Sequence, residues 1–88
     1  MRIEMVEIFS DATNMAIMRH PGRHFPGVLI QGDILFNLLR EAEKARQKVS
    51  RGSPGFDEIE ELGDALSDFL SHYRRTLADH SIKFPFSE

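Results

Sequence analysis

Between residues 59 and 77, apolar side chains recur at spacings of three and four: Ile59, Leu62, Leu66, Phe69, Leu70, Tyr73 and Leu77. That period draws one stripe along an α-helix and does not fit the alternation of a strand. A helix over about 56–80 takes more than a quarter of an 88-residue chain, and its stripe needs a partner. The nearest one lies just upstream, where Ile34, Leu35, Leu38, Leu39, Ala42, Ala45 and Val49 form a second stripe over about 33–50. Only a few residues join the two segments, so they are expected to pair as an antiparallel hairpin.

The ends of both helices carry signals. Asp33 can accept backbone N–H bonds as an N-cap, with Gly32 turning the chain into it. Lys44, Arg46, Lys48 and Arg51 load the other end of that helix with positive charge, and Gly52 is a natural stop. Ser53-Pro54 suits an N-cap with proline at the first helical position, while Gly55 allows a later start at Phe56 or Asp57. Asp57, Glu58, Glu60 and Glu61 match the dipole of the first turns. Gly63 interrupts the second stripe at a cost of about 1 kcal/mol relative to alanine, which a close backbone approach to the first helix would justify. Residues 33–52 carry net +2 (five basic, three acidic) and residues 53–88 net −5 (three basic, eight acidic). The basic end of one helix then lies beside the acidic start of the next. Exposed pairs of that kind contribute about 0–1 kcal/mol each, so they set register more than stability.

The first third reads as strands. Ile3, Met5, Val6, Ile8 and Phe9 give a β-favouring run over about 3–9, with a slip in alternation between Met5 and Val6 that a bulge there, or burial on both faces, would explain. Ser10–Asn14 is a turn cluster, Met15–Arg19 a second strand, and Val28–Ile30 a third that ends at Gln31 (about 28–31). Pro21-Gly22 and Pro26-Gly27 break the ladder between them. The expected fold class is α+β: a small antiparallel three-stranded sheet followed by an antiparallel two-helix hairpin. We expect a single domain over 1–88, with a sheet part at 1–32, a helical hairpin at 33–80 and a docked tail at 81–88. In that tail Pro85 permits an edge strand or a docked segment, and Phe84 and Phe86 are expected to be packed.

Composition narrows the function classes. Without cysteine there is no disulfide framework, thiolate nucleophile or Cys-ligated zinc. The longest fully apolar run is the four residues Met15–Met18, so no membrane helix is expected, and the mixed charges at the N-terminus do not make a signal peptide. A cytoplasmic protein follows as the expectation. The four histidines form no helical metal-binding pair, the serines have cap, turn or helix-surface roles, and no glycine-rich phosphate loop is present. No catalytic residue, metal ligand or cofactor is therefore assigned. Arg40, Lys44, Arg46, Lys48 and Arg51 offer weak nucleic-acid binding by the first helix, against which the net charge of −3 and the adjacent acidic helix weigh.

Arg19–Gly27 is the most unusual stretch, with two arginines, two histidines and two Pro-Gly units in nine residues. Its prolines restrict the loop in advance. Arg19 and Arg23 can hold an anion, His20 or His24 can carry a proton, and Asp33 can orient one of them. The plainer reading makes the Pro-Gly units corners, the charged side chains solvated and Phe25 a plug beneath the loop.

The run from Arg19 to Leu35, R-H-P-G-R-H-F-P-G-V-L-I-Q-G-D-I-L, resembles the signature of small bacterial proteins classed as a domain of unknown function. It spans 17 of 88 residues, and the two helices and Phe-Pro-Phe-Ser end are similar in outline. The resemblance implies a bacterial, cytoplasmic origin and carries no activity, ligand or catalytic residue.

Three functional expectations follow. The first is a non-enzymatic protein-interaction or accessory module acting as a homodimer. Three strands and two helices leave a sheet face or edge to cover, and the anchors would be Phe36, Phe84 and Phe86, through the helix face near Phe36 or the sheet edge. The second is binding of an anionic small ligand, or catalysis, at the Arg19–Asp33 loop, using Arg19, His20, Arg23, His24 and Asp33. The third is the nucleic-acid contact described above.

Overall fold

Met15–Arg19 forms a strand with the bounds its sequence suggests, because turn-forming segments flank it on both sides. In the computed structural model, which describes residues 1–87, this strand is the middle of a three-stranded antiparallel sheet. Its neighbours are β1 (Glu7–Ser10) and β3 (Gly27–Ile30), with Met15–Arg19 as β2. Two helices follow, α1 (Gly32–Lys48) and α2 (Phe56–Asp79), so the fold is α+β. The chain divides into two compact units, Met1–Gln31 and the segment from Gly32 onward.

In the first unit the register explains why β1 is shorter than expected. Glu7 pairs with Arg19 and Ile8 with Met18, but Ser10, not Phe9, pairs with Ile17. Phe9 is therefore the extra residue of a β-bulge. The sequence suggested a bulge between Met5 and Val6; the structure moves it to Phe9. With Glu7 already opposite the last residue of β2, nothing remains for residues 3–6 to pair with. Ile3 and Met5 stand outside the sheet, almost fully exposed. The β1–β2 turn is held by Ser10 and Thr13 rather than by the Asp and Asn side chains. The Ala12 amide donates to the Ser10 hydroxyl at 3.5 Å, and Thr13 Oγ1 both accepts from the Met15 amide and donates to its carbonyl.

The two Pro-Gly units differ. His20-Pro21-Gly22-Arg23 is a turn closed by the Arg23 amide donating to the His20 carbonyl at 3.0 Å. Gly22 adopts φ 84°. Proline second and a left-handed glycine third is the type II pattern. Pro26-Gly27 makes no such turn. Gly27 opens β3 and pairs with Met18, so the ladder resumes one residue earlier than expected.

In the second unit the helices run antiparallel. Gly32, at the start of α1, lies against the ring of Tyr73 late in α2, while Arg46 near the end of α1 shares a hollow with Phe56 and Glu60 at the start of α2. Leu35 and Leu39 of α1 meet Leu70 of α2, and Phe36, Leu66, Tyr73 and Phe86 pack around them. Leu70 is wholly buried. The stripes are narrower than their sequences suggest, since Leu38, Leu62 and Phe69 remain exposed. Glycine at 63 does not relieve a close approach, because a Cβ there would meet nothing within 4 Å. The close approach is at Gly32 instead.

Both helix starts depart from the expected caps. Asp33 is inside α1, not before it, and its carboxylate accepts the Ile34 amide at 2.9 Å. α2 starts at Phe56, the first of the two later openings that Gly55 allows. Gly55 itself is the left-handed N-cap, with φ 86°, and Ser53 contributes its carbonyl to the Phe56 amide instead of a side-chain cap. The C-terminus of α2 is a Schellman turn: the Ile82 amide donates to the Leu77 carbonyl at 2.9 Å and the Ser81 amide to that of Ala78 at 3.2 Å. Ser81 takes the left-handed position, φ 57°. The reversal leads residues 82–86 back over the helices, the second of the two expected courses for the tail. There Phe86 stacks on Phe36 at 4.4 Å with nearly parallel rings, and Phe84 stacks on Phe86 at 5.6 Å. The last residue of the expected 81–88 tail, Glu88, lies outside the described residues.

Candidate functional site

The five residues proposed for an anion site have different local surroundings. Arg19 ends β2 opposite Glu7 of β1, so the ladder sets the two side chains side by side. Arg19 Nε and Nη2 donate to the two Glu7 carboxylate oxygens, each at 2.8 Å, and Nη1 reaches the His24 carbonyl at 3.4 Å. The guanidinium also lies 5.6 Å from the centre of the Phe9 ring. The arginine holds the Glu7 carboxyl below its ordinary range by hydrogen bonding first and charge second; Glu7 in turn raises the arginine. A planar, bidentate match of this kind fixes the orientation of the guanidinium. Arg19 is a fastener between the strands and the loop.

His20, Arg23 and Phe25 belong to a different feature. The type II turn presents them over one end of the sheet, where they line a groove of about 400 Å³ together with Val6, Met18 and Leu29. Leu29 pairs with Ala16, and Gly27 with Met18, so Leu29 and Met18 are on the same sheet face. The His20 Nδ1 lies 2.6 Å from the Pro21 carbonyl oxygen. A carbonyl only accepts, so Nδ1 carries the proton and Nε2 is the nitrogen left for other partners. Arg23 has no carboxylate partner among the described residues. His24 contacts the Phe25 ring edge to face at 4.6 Å and is not part of the groove lining. Asp33 belongs to the second unit, where its carboxylate is engaged with the Ile34 amide.

The anchors expected on the helices are arranged among themselves. Phe36, Phe84 and Phe86 form a half-buried aromatic stack, joined by Tyr73 at 6.5 Å from Phe86. Arg40 lies over Phe36 and Arg74 over Phe86, at 5.7 and 5.6 Å. Lys44 of the basic helix end pairs with Glu41 on its own helix at 3.3 Å. Among the described residues no three His, Asp or Glu side chains come together as metal ligands would, and no helix is long and apolar enough to cross a membrane.

Sequence reading missed the role of Glu7 and the contributions of Val6, Met18 and Leu29 to the groove. The signal for Glu7 was its charge opposite Arg19, which becomes readable only when the bulge at Phe9 fixes the register.

A small α+β chain with a pre-shaped Pro-Gly loop beside an apolar groove is the class these features define. Residues 1–86 match a family of unknown function, DUF6959, and the chain belongs to that family. Comparison with curated proteins and with solved structures finds no match.

Proposed function

We propose that this chain is a small non-enzymatic interaction module that acts as a homodimer, with the outer edge of β3 pairing to its copy across a two-fold axis. The observation that carries the reading is the chemistry of that edge. β3 is Gly-Val-Leu-Ile, uncharged and exposed at every residue, and among the described residues its only strand neighbour is β2. The opposite edge is guarded by the Glu7 carboxylate and by the bulge at Phe9, two devices that discourage strand addition. Apolar side chains occupy both faces of the sheet: Met15, Ile17, Val28 and Ile30 on one, Ile8, Ala16, Met18 and Leu29 on the other. Most of these are exposed, whereas the buried apolar residues among those described are Ala16, Leu35, Leu39, Ala42 and Leu70. A two-fold pairing of β3 with β3 extends the sheet to six strands, satisfies the open edge and continues each apolar face into the matching face of the copy. The helix face near Phe36 is already occupied by Phe86, which favours the sheet edge as the seat of the dimer.

Light scattering on the full chain after size exclusion tests this. The expected result is twice the mass of one chain at tens of micromolar, reduced to one chain by Val28→Lys and left unchanged by Phe69→Lys on the exposed side of α2. A wild-type monomer throughout overturns the homodimer. A dimer split by Phe69→Lys and not by Val28→Lys overturns the edge pairing.

A further inference from the structure

We propose that the groove between the His20–Phe25 loop and the sheet is a binding site for a carboxylate carried on a hydrocarbon body, with Arg23 taking the carboxylate and Met18, Phe25 and Leu29 taking the chain. Three observations converge on this. The groove holds about 400 Å³, within the range of small-molecule pockets, and is lined mainly by apolar side chains. Its charged lining residue is Arg23, which no carboxylate of the described residues neutralises. The contrast with Arg19, four residues earlier, is direct: the Arg19 charge is paired by Glu7 at 2.8 Å on both oxygens, so one arginine builds the loop and the other is left for a ligand.

The loop is also built in advance. The turn bond from the Arg23 amide to the His20 carbonyl, the left-handed Gly22 and the Arg19 contact to the His24 carbonyl together set its backbone from both ends. A pre-shaped site loses less conformational freedom on binding. His20 donates from Nδ1 to the Pro21 carbonyl, so in that tautomer Nε2 accepts rather than donates, and the carboxylate falls to Arg23 alone. An anion without an apolar body leaves the lining wet, and an apolar body without an anion leaves the guanidinium unmatched. Both parts are needed, and that sets the ligand class.

The test uses decanoate below its micellar concentration, with decanol and acetate as the two half-ligands, followed by calorimetry and by methyl NMR on the full chain. Decanoate is expected to bind with one site per chain and to shift the Met18 methyl and Phe25 ring signals. Decanol is expected to bind at least tenfold more weakly and acetate not measurably. Arg23→Gln, at an exposed position, is expected to cost about tenfold in decanoate affinity, the scale of a charge-assisted contact, and Arg23→Lys to recover part of it. The mass of the particle stays that of the wild type in both variants, so this result is read separately from the oligomeric state. Equal affinity for decanol and decanoate, an Arg23→Gln variant that binds like wild type, or binding that leaves Met18 unshifted overturns the proposal.

Discussion

Arg19 and Glu7 form a two-pronged ion pair across the first two strands, with both nitrogen–oxygen distances at 2.8 Å. The pair exists because the β1–β2 ladder sets Glu7 directly opposite Arg19, and the same guanidinium reaches on to the loop through the His24 carbonyl. Strand pairing and loop shape are therefore tied to one side chain.

The Glu7 carboxyl titrates below its ordinary value of 4.5 in the folded chain, chiefly because Arg19 hydrogen-bonds to its ionised form. A carboxylate lowered on folding contributes stability above its unfolded value, and that contribution fades as pH falls through the folded one. The wild type is expected to lose stability below about pH 4.5, in the window where Glu7 protonates, more steeply than Glu7→Gln. Urea denaturation from pH 6 to pH 3, with an NMR titration of the Glu7 carboxyl, measures both.

Two glycines of the helical unit are expected to respond to alanine with opposite signs. At Gly63 an added Cβ meets open space inside a helix, so Gly63→Ala is expected to stabilise by about 0.5–1 kcal/mol. At Gly32 it collides with the ring of Tyr73, which itself packs beside Phe86, so Gly32→Ala is expected to cost about 1–3 kcal/mol. Denaturant midpoints decide both, and Tyr73→Ala should remove most of the Gly32→Ala penalty.

The two Pro-Gly units separate in the same way. Gly22 has φ 84°, a region that costs a side-chain-bearing residue about 1–2 kcal/mol. Gly27 sits in ordinary strand geometry with nothing near its missing Cβ. Gly22→Ala is expected to lower the melting temperature and Gly27→Ala to leave it within about a degree or raise it.

Ser81 holds the left-handed position of a helix-ending turn that glycine ordinarily fills. Ser81→Gly is expected to stabilise by about 0.5–1 kcal/mol, relieving that strain. Thermal unfolding by circular dichroism reads the change.

The elements that local chemistry defines were legible in advance. β2 is bracketed by turns, and the two helices carry long periodic stripes, so their bounds fall within about two residues of those expected. What depended on tertiary pairing was not. The length of β1 is set by where β2 ends and by an extra residue at Phe9, neither of which alternation reveals. Phe36, off the expected stripe, joins the core because Phe86 returns from the tail to meet it. The candidate site divided along the same line. The loop and its charged residues stood out in the sequence, but that Arg19 would be consumed and Arg23 left over followed only from the register. Asp33 lies in the second unit, inside the first turn of α1, and accepts the amide of the next residue, Ile34.

The stack of Phe86 on Phe36 joins residues fifty positions apart. At ordinary synthesis rates of about 5–20 residues per second, Phe36 leaves the ribosome roughly 3–10 s before its cover does. During that interval the nascent hairpin presents a bare aromatic ring, and a stop codon introduced between the end of α2 and residue 86 would make that passing state permanent. Shortened products of this gene should thus be the species that chaperones retain and proteases clear.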